Sequence, residues 1–240
     1  MTSPLGILRH SLNLYRANSQ LIVGYASWLL LTAAAFVLVS FVQNDAARET
    51  LLLIVQVADL MLWLWVGIMV MRVAAVSATK TPVDPTALPR DAWTLLWPFA
   101  WVTALQGLAV CGGFLLFIVP GFVFLVWFAL SQQALVIGNK HGLDALSESR
   151  DLCRGRFFTV AWYLFVGPFL TVFAYLVLLV AFFAIVAAAA RLPINTAFGD
   201  QPPLWMDVTA TVTEIFLMPI LYIYWSLTYL ELKEPLKTNS

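Results

Sequence analysis

From Leu21 to Val42 the chain carries no charged side chain, and five further stretches are nearly as apolar. At ~1.5 Å per residue, a helix of that length crosses the ~30 Å hydrocarbon layer of a bilayer. Inside lipid every backbone N–H and C=O must find a partner within the protein, so runs of this kind are read as helices. Composition points the same way: 62% of the 240 residues are hydrophobic, 11% are charged and the mean hydropathy is +0.88. A soluble domain carries roughly 25% charged residues. The expected fold class is all-α, a polytopic membrane protein of six transmembrane helices in three hairpins with cytoplasmic amphipathic interfacial helices.

The expected spans cover about 21–42, 51–71, 93–118, 122–137, 166–190 and 208–230, in one membrane domain over 1–240. A cleaved signal peptide is the alternative for the N-terminus, because Arg9 and Arg16 precede the first run. That run exceeds the ~7–15 residues of a signal core and no small-x-small cleavage site follows it, so a retained span is expected. Gln43 to Thr50 is read as a turn, and Ser77 to Asp91, with Pro82, Pro85 and Pro89, as a loop leaving the membrane. In the third run Ala109 and Gly113 lie four apart, a small-residue face that admits a close neighbour. Val119, Pro120 and Gly121 read as a tight turn into the fourth run. The apolar stretch from Phe157 to Ala190 is too long for one untilted span, so Gly167 and Pro168 are expected to break it. Arg191 to Asp207, with Pro193, Pro202 and Pro203, is the last loop between spans.

The densest cluster of charge lies from Lys140 to Phe158. It reads as an interfacial helix over about 143–155, with Asp144 as N-cap, Leu143, Leu146, Leu152 and Cys153 on one side, and Gly155 as the stop. Arg150, Arg154 and Arg156 are the expected contacts to lipid headgroups. A second such helix is expected over about 4–18, with Leu5, Leu8, Leu12 and Tyr15 at helical spacing. The two segments align: Leu8, Ser11, Leu14 and Arg16 match Leu146, Ser149, Leu152 and Arg154, with a weaker echo over Thr86 to Trp93. The simplest architecture is three hairpins, each introduced by one such helix.

Six spans put both termini on one side. That side holds Arg9, Arg16, Arg72, Lys80, Arg90, Lys140, Arg150, Arg154, Arg156, Lys233 and Lys237, against only Arg48 and Arg191 on the other. The positive-inside rule then makes both termini cytoplasmic.

The run from Ile118 to Ile137, IVPGFVFLVWFALSQQALVI, followed by GLDALSESRDLCRGRFF from Gly142 to Phe158, resembles the membrane domain found beside some bacterial glycerophosphodiester phosphodiesterases. It is similar also to related, uncharacterised stand-alone inner-membrane proteins. The N-terminal helix and the last span, LYIYWSLTYLELK, match more loosely. No soluble catalytic barrel is present in the sequence, so the resemblance implies a fold and a bacterial inner membrane location, and no reaction.

Motifs for chemistry are sparse. His10 and His141 lack the Cys, Asp or Glu spacing of a metal site, and no glycine-rich loop cradles a nucleotide. No cofactor, metal or catalytic residue is expected. The zero net charge offers no basic field for nucleic acid. Cys111 and Cys153 imply no disulfide framework. The exceptions are Asp59 and Glu214, expected ~10 to 13 Å below the outer surface with no cation nearby. They are either structural acids hydrogen-bonded to Gln56, Thr211 or one another, or the centre of a transport or proton-relay path. Gln106, Gln132 and Gln133 would extend that polar interior, or glue helices together.

The sequence therefore suggests a non-enzymatic inner-membrane protein in envelope or lipid-associated physiology, a scaffold or partner subunit for another membrane protein, with the lipid bilayer as its medium. A small transporter or channel built on Asp59 and Glu214 is the alternative. Oligomeric state is not encoded in any feature above.

Overall fold

The computed structural model describes residues 3–78, 87–190 and 203–237. Most of the proline-marked loop, with Lys80, Pro82, Asp84 and Pro85, and most of the last loop, with Arg191, Pro193 and Pro202, lie outside the described residues. Within them the chain forms α1 (Pro4–Ala17), α2 (Ser19–Ala26), α3 (Leu29–Ser40), α4 (Asp45–Ala78) and α5 (Ala87–Leu116). There follow α6 (Ile118–Phe128), α7 (Ser131–Val136), α8 (Leu143–Cys153), α9 (Phe157–Ala189) and α10 (Leu204–Lys237). Six segments are long and apolar enough to cross a membrane: Ser19–Ser40, Asp45–Ala78, Leu88–Leu116, Ile118–Val136, Phe157–Ala189 and Leu204–Lys233. The protein is an all-α, multi-pass membrane protein. Its hairpins are α2/α3 with α4, α5 with α6/α7, and α9 with α10.

Several boundaries differ from those expected, each for a local reason. Of the turn read over Gln43 to Thr50 only Gln43 and Asn44 stand outside helix, and Asp45 to Thr50 begin α4. Asn44 Oδ1 accepts from the Ala47 N–H at 3.0 Å, and Asp45 sits in the first turn, where a negative charge is favoured. The reversal between α5 and α6 falls on Phe117, whose backbone is extended. Pro120 and Gly121 belong to the first turn of α6, where a proline's missing N–H costs no hydrogen bond. A Cβ on Gly113 would lie 3.0 Å from the Cα of Gly121, so the small-residue face of α5 receives α6.

Gly167 and Pro168 do not break the fifth span, because α9 runs through them without interruption. A proline at 168 cannot donate to the Leu164 carbonyl and loosens the turn before it. Tyr224 of α10 enters there. Its hydroxyl donates to the Tyr163 carbonyl at 2.7 Å, and a Cβ on Gly167 would sit 2.1 Å from the Tyr224 ring. Glycine clears space for the ring, and the ring supplies a hydrogen bond to the weakened turn.

The two short helices pack on protein. On α1 the buried side chains are Ile7, Ser11 and Leu14, while Leu5 is exposed and Leu8 only half-buried, so the contact face is rotated from the expected one. On α8 they are Ala145, Leu146, Ser149, Leu152 and Cys153, with Leu143 exposed. Gly142, at φ 53°, caps α8 in place of Asp144, and Gly155, at φ 75°, ends it as expected. Ser149 explains the attachment: its Oγ donates to the Trp127 carbonyl at 2.7 Å and accepts from the Leu130 N–H at 3.1 Å, where the backbone between α6 and α7 is interrupted. Ser11, its counterpart in the repeat, is also fully buried and donates to the Ile7 carbonyl at 2.9 Å.

The packing closes into a ring. α1 lies on α9 and α10, α5 lies against α4 with Trp93 near its start on Trp65, and α8 lies on α6 and α7. Each hairpin is thus covered by the segment that introduces another. Most of the core gathers at this α1–α8 end, around Val66–Met71, Leu130–Val136 and Ile223–Tyr229. Towards the far end the bundle opens. A separate small cluster there, Phe183, Ala187 and Met206, joins α9 to α10.

Candidate functional site

Where α3, α4 and α10 diverge towards the far end, they leave a cleft of about 280 Å³. Helical periodicity selects its walls. Leu29, Ala33 and Phe36 come from one face of α3, Asp59 and Trp63 from successive turns of α4, and Thr211, Glu214, Ile215, Met218 and Tyr222 from α10. Asp59 and Glu214, 155 positions apart by number, therefore face one space.

The two acids are held differently. Asp59 is half-buried, and its Oδ1 accepts from Thr32 Oγ1 at 2.6 Å. Thr32 is itself buried and lies 3.0 Å from the Leu29 carbonyl, so α3 fixes the position of its hydroxyl. Glu214 has no hydrogen-bond or ion-pair partner among the described residues. None of the ten residues lining the cleft is a cation. A carboxylate at membrane depth is costly unless it faces protein, water or a counter-ion, so this cleft is suited to accept a positive group.

An apolar groove of about 560 Å³ adjoins it between α3 and the start of α10. Ala33, Phe36 and Thr211 line both spaces, so they are immediate neighbours, and Asp207 stands at the α10 start of the groove. A further apolar hollow of about 400 Å³ lies between α9 and α10, beside Tyr175, whose hydroxyl donates to the Ala210 carbonyl at 3.2 Å.

The other expected polar residues are elsewhere. Gln56 is exposed and does not line the cleft. Gln132 ties α7 to α5, its Nε2 donating to Thr103 Oγ1 at 3.1 Å. Gln106 and Gln133 have buried side-chain oxygens with no partner, and Gln133 is 1% exposed. None of the three glutamines lines the cleft that holds the acids.

The arginines of the α8 segment divide as well. Arg154 is exposed, Arg150 is exposed with its guanidinium 4.8 Å from the Trp127 ring, and Arg156 is tied to the protein. Its Nε donates to the Leu152 carbonyl at 2.9 Å and its Nη2 to the Leu232 carbonyl at 2.7 Å. Beside it, burial pushes the Cys153 thiol up to about 11, against a smaller opposing pull from Arg156.

A second polar cluster was not evident in the sequence. Glu148 of α8 accepts from the Tyr229 hydroxyl and from Lys233 Nζ, the latter at 2.7 Å, and Lys233 also reaches the Tyr229 oxygen at 2.8 Å. Gly138 makes room for it, since a Cβ there would lie 2.2 Å from that oxygen. Only the i,i+4 spacing of Tyr229 and Lys233 hinted at a shared face. Among the described residues no group of three His, Cys, Asp or Glu is placed to hold a metal ion. No family model, no curated protein and no solved structure matches this chain.

Proposed function

We propose that the chain is a non-enzymatic scaffold or partner subunit of the bacterial inner membrane, acting in envelope or lipid-associated physiology, with both termini in the cytoplasm. The observation that carries this reading is the contrast between the two ends of the bundle. Most of the buried apolar core gathers at the α1–α8 end, where the surface hollows are lined largely by polar side chains such as Arg9, Lys140 and Asp151, while the far end opens sideways into apolar grooves between α3, α9 and α10. Sideways grooves in a spanning bundle meet lipid or another membrane helix. Kinship with the membrane domains that accompany glycerophosphodiester phosphodiesterases belongs to the same proposal. So do headgroup contacts by Arg150 and Arg154, each worth about 1 kcal/mol near an anionic surface.

The shared cleft of Asp59 and Glu214 favours a second reading, a small transporter. Proteoliposomes separate the two. A scaffold shows no pH-dependent ion flux above protein-free vesicles. Flux in the wild type that vanishes in both Asp59→Asn and Glu214→Gln, at equal protein incorporation, overturns the scaffold reading. Orientation is tested by reporter fusions after residues 47, 84, 144, 198 and 236, expected to read outside, inside, inside, outside, inside; an external signal at 144 reverses it.

A further inference from the structure

The cleft between α3, α4 and α10 has a composition that a structural acid pair does not require. Three aromatic side chains, Phe36, Trp63 and Tyr222, line the same 280 Å³ as Asp59 and Glu214. Aromatic faces attract cations through the ring quadrupole, tryptophan most strongly, and recognition of quaternary ammonium groups is the best-attested use of such walls. Carboxylate oxygens add electrostatic attraction for a positive group, the more so the less water surrounds it. A small hard cation would need several oxygen ligands in place of its water. A weakly hydrated organic cation is served by aromatic faces together with one or two acids.

The adjoining groove supplies the rest of the shape. It is about 560 Å³, mostly apolar with Ser40, Asp207 and Thr211 among its walls, and it borders the acid cleft, sharing Ala33, Phe36 and Thr211 with it. An alkyl chain leaving lipid for this groove exchanges one apolar medium for another, so selection falls on the head. A zwitterionic headgroup fits poorly. Its phosphate would lie among Asp59, Glu214 and Asp207, with no cation among the residues lining either space.

We propose that this cleft and groove bind a monocationic amphiphile, an alkyl chain bearing a quaternary ammonium head, which enters sideways from the membrane. The head sits between the two carboxylates and the aromatic rings, and the chain lies between α3 and α10. This goes beyond the scaffold reading and stands whether or not anything is carried across the membrane.

The test is equilibrium dialysis of radiolabelled dodecyltrimethylammonium against the full chain in dodecylmaltoside micelles, with protein-free micelles subtracted. One saturable site per chain is expected. The neutral analogue with carbon in place of nitrogen, and dodecylphosphocholine, should each compete at least tenfold more weakly. Glu214→Gln and Asp59→Asn should each lower affinity at least tenfold, and Trp63→Leu about fivefold. Equal competition by the neutral analogue or by the phosphocholine, non-saturable uptake, or wild-type affinity in both acid variants overturns the proposal. The competition arms use wild-type protein, so they decide the matter even if a variant does not fold. Flux in proteoliposomes would remove the scaffold reading and leave this site untouched.

Discussion

Glu148 and Lys233 join α8 to the end of α10, and their contact sets the size of one measurable effect. The carboxylate accepts from both Lys233 and Tyr229, and the side chains of Lys233 and Glu148 are 33% and 16% exposed. Fully buried pairs cost about 3–5 kcal/mol when one partner is removed, because the other charge is stranded, whereas exposed pairs contribute about 0–1. This pair lies between those limits. Lys233→Met leaves the less exposed partner ionised with Tyr229 as its remaining donor, and should cost about 2–3 kcal/mol. Glu148→Gln keeps a side-chain acceptor and leaves the more exposed lysine unpaired, so about 1–1.5 kcal/mol is expected. Removing both charges strands neither, so the double variant should be about 2 kcal/mol more stable than the sum of the single losses implies. The assay is reversible unfolding of detergent-solubilised protein by SDS titration, read by circular dichroism. Additivity within about 0.5 kcal/mol, or a neutral Lys233→Met, would refute the idea that this contact holds α8 in place.

Three other outcomes test the fold. Arg156→Gln loses two charge-assisted bonds, to Leu152 and Leu232, and should cost about 1.5–3 kcal/mol by the same titration, whereas Arg154→Gln should change stability by less than about 0.5. Gly167→Ala brings a methyl group within 2.1 Å of the Tyr224 ring and should cost about 2–4 kcal/mol through overpacking and the lost bond to Tyr163, while Tyr224→Phe should cost only about 1. The Cys153 thiol, raised from 9.0 to about 11, holds about 100-fold less thiolate at pH 8 than an unshifted one. Alkylation of Cys153 should therefore be at least that much slower in folded protein than in unfolded chain, and equal rates would contradict its burial.

How these helices cross the membrane was readable from local sums. Run length and low charge identified six spans, and the alternation of lysine and arginine between loops set an expected orientation. The short helices were readable too, because α1 and α8 mix polar and apolar residues. Gly155, at positive φ, ended α8 where a glycine was expected to.

Apart from the small-residue face of α5 at Gly113, which faces meet was not readable, and lipid is the reason. A helix in water shows its inward side by an apolar stripe, but a helix in hydrocarbon is apolar on every side, so its sequence carries little record of its rotation. The acids Asp59 and Glu214 were picked out because charge in a span is rare. Nothing local marked Thr32, 27 positions from Asp59, as its donor, or distinguished Gln56 on the outside of α4 from Asp59 in the cleft. The Gly167–Pro168 pair reads as a break until Tyr224 is set against it from 61 positions beyond its partner Tyr163. Glu148 finds Tyr229 and Lys233 across 81 and 85 positions. Such pairings depend on how far each helix is turned and slid against its neighbours, and that is settled by packing of small and aromatic side chains such as Gly138 against Tyr229, after the spans themselves have formed.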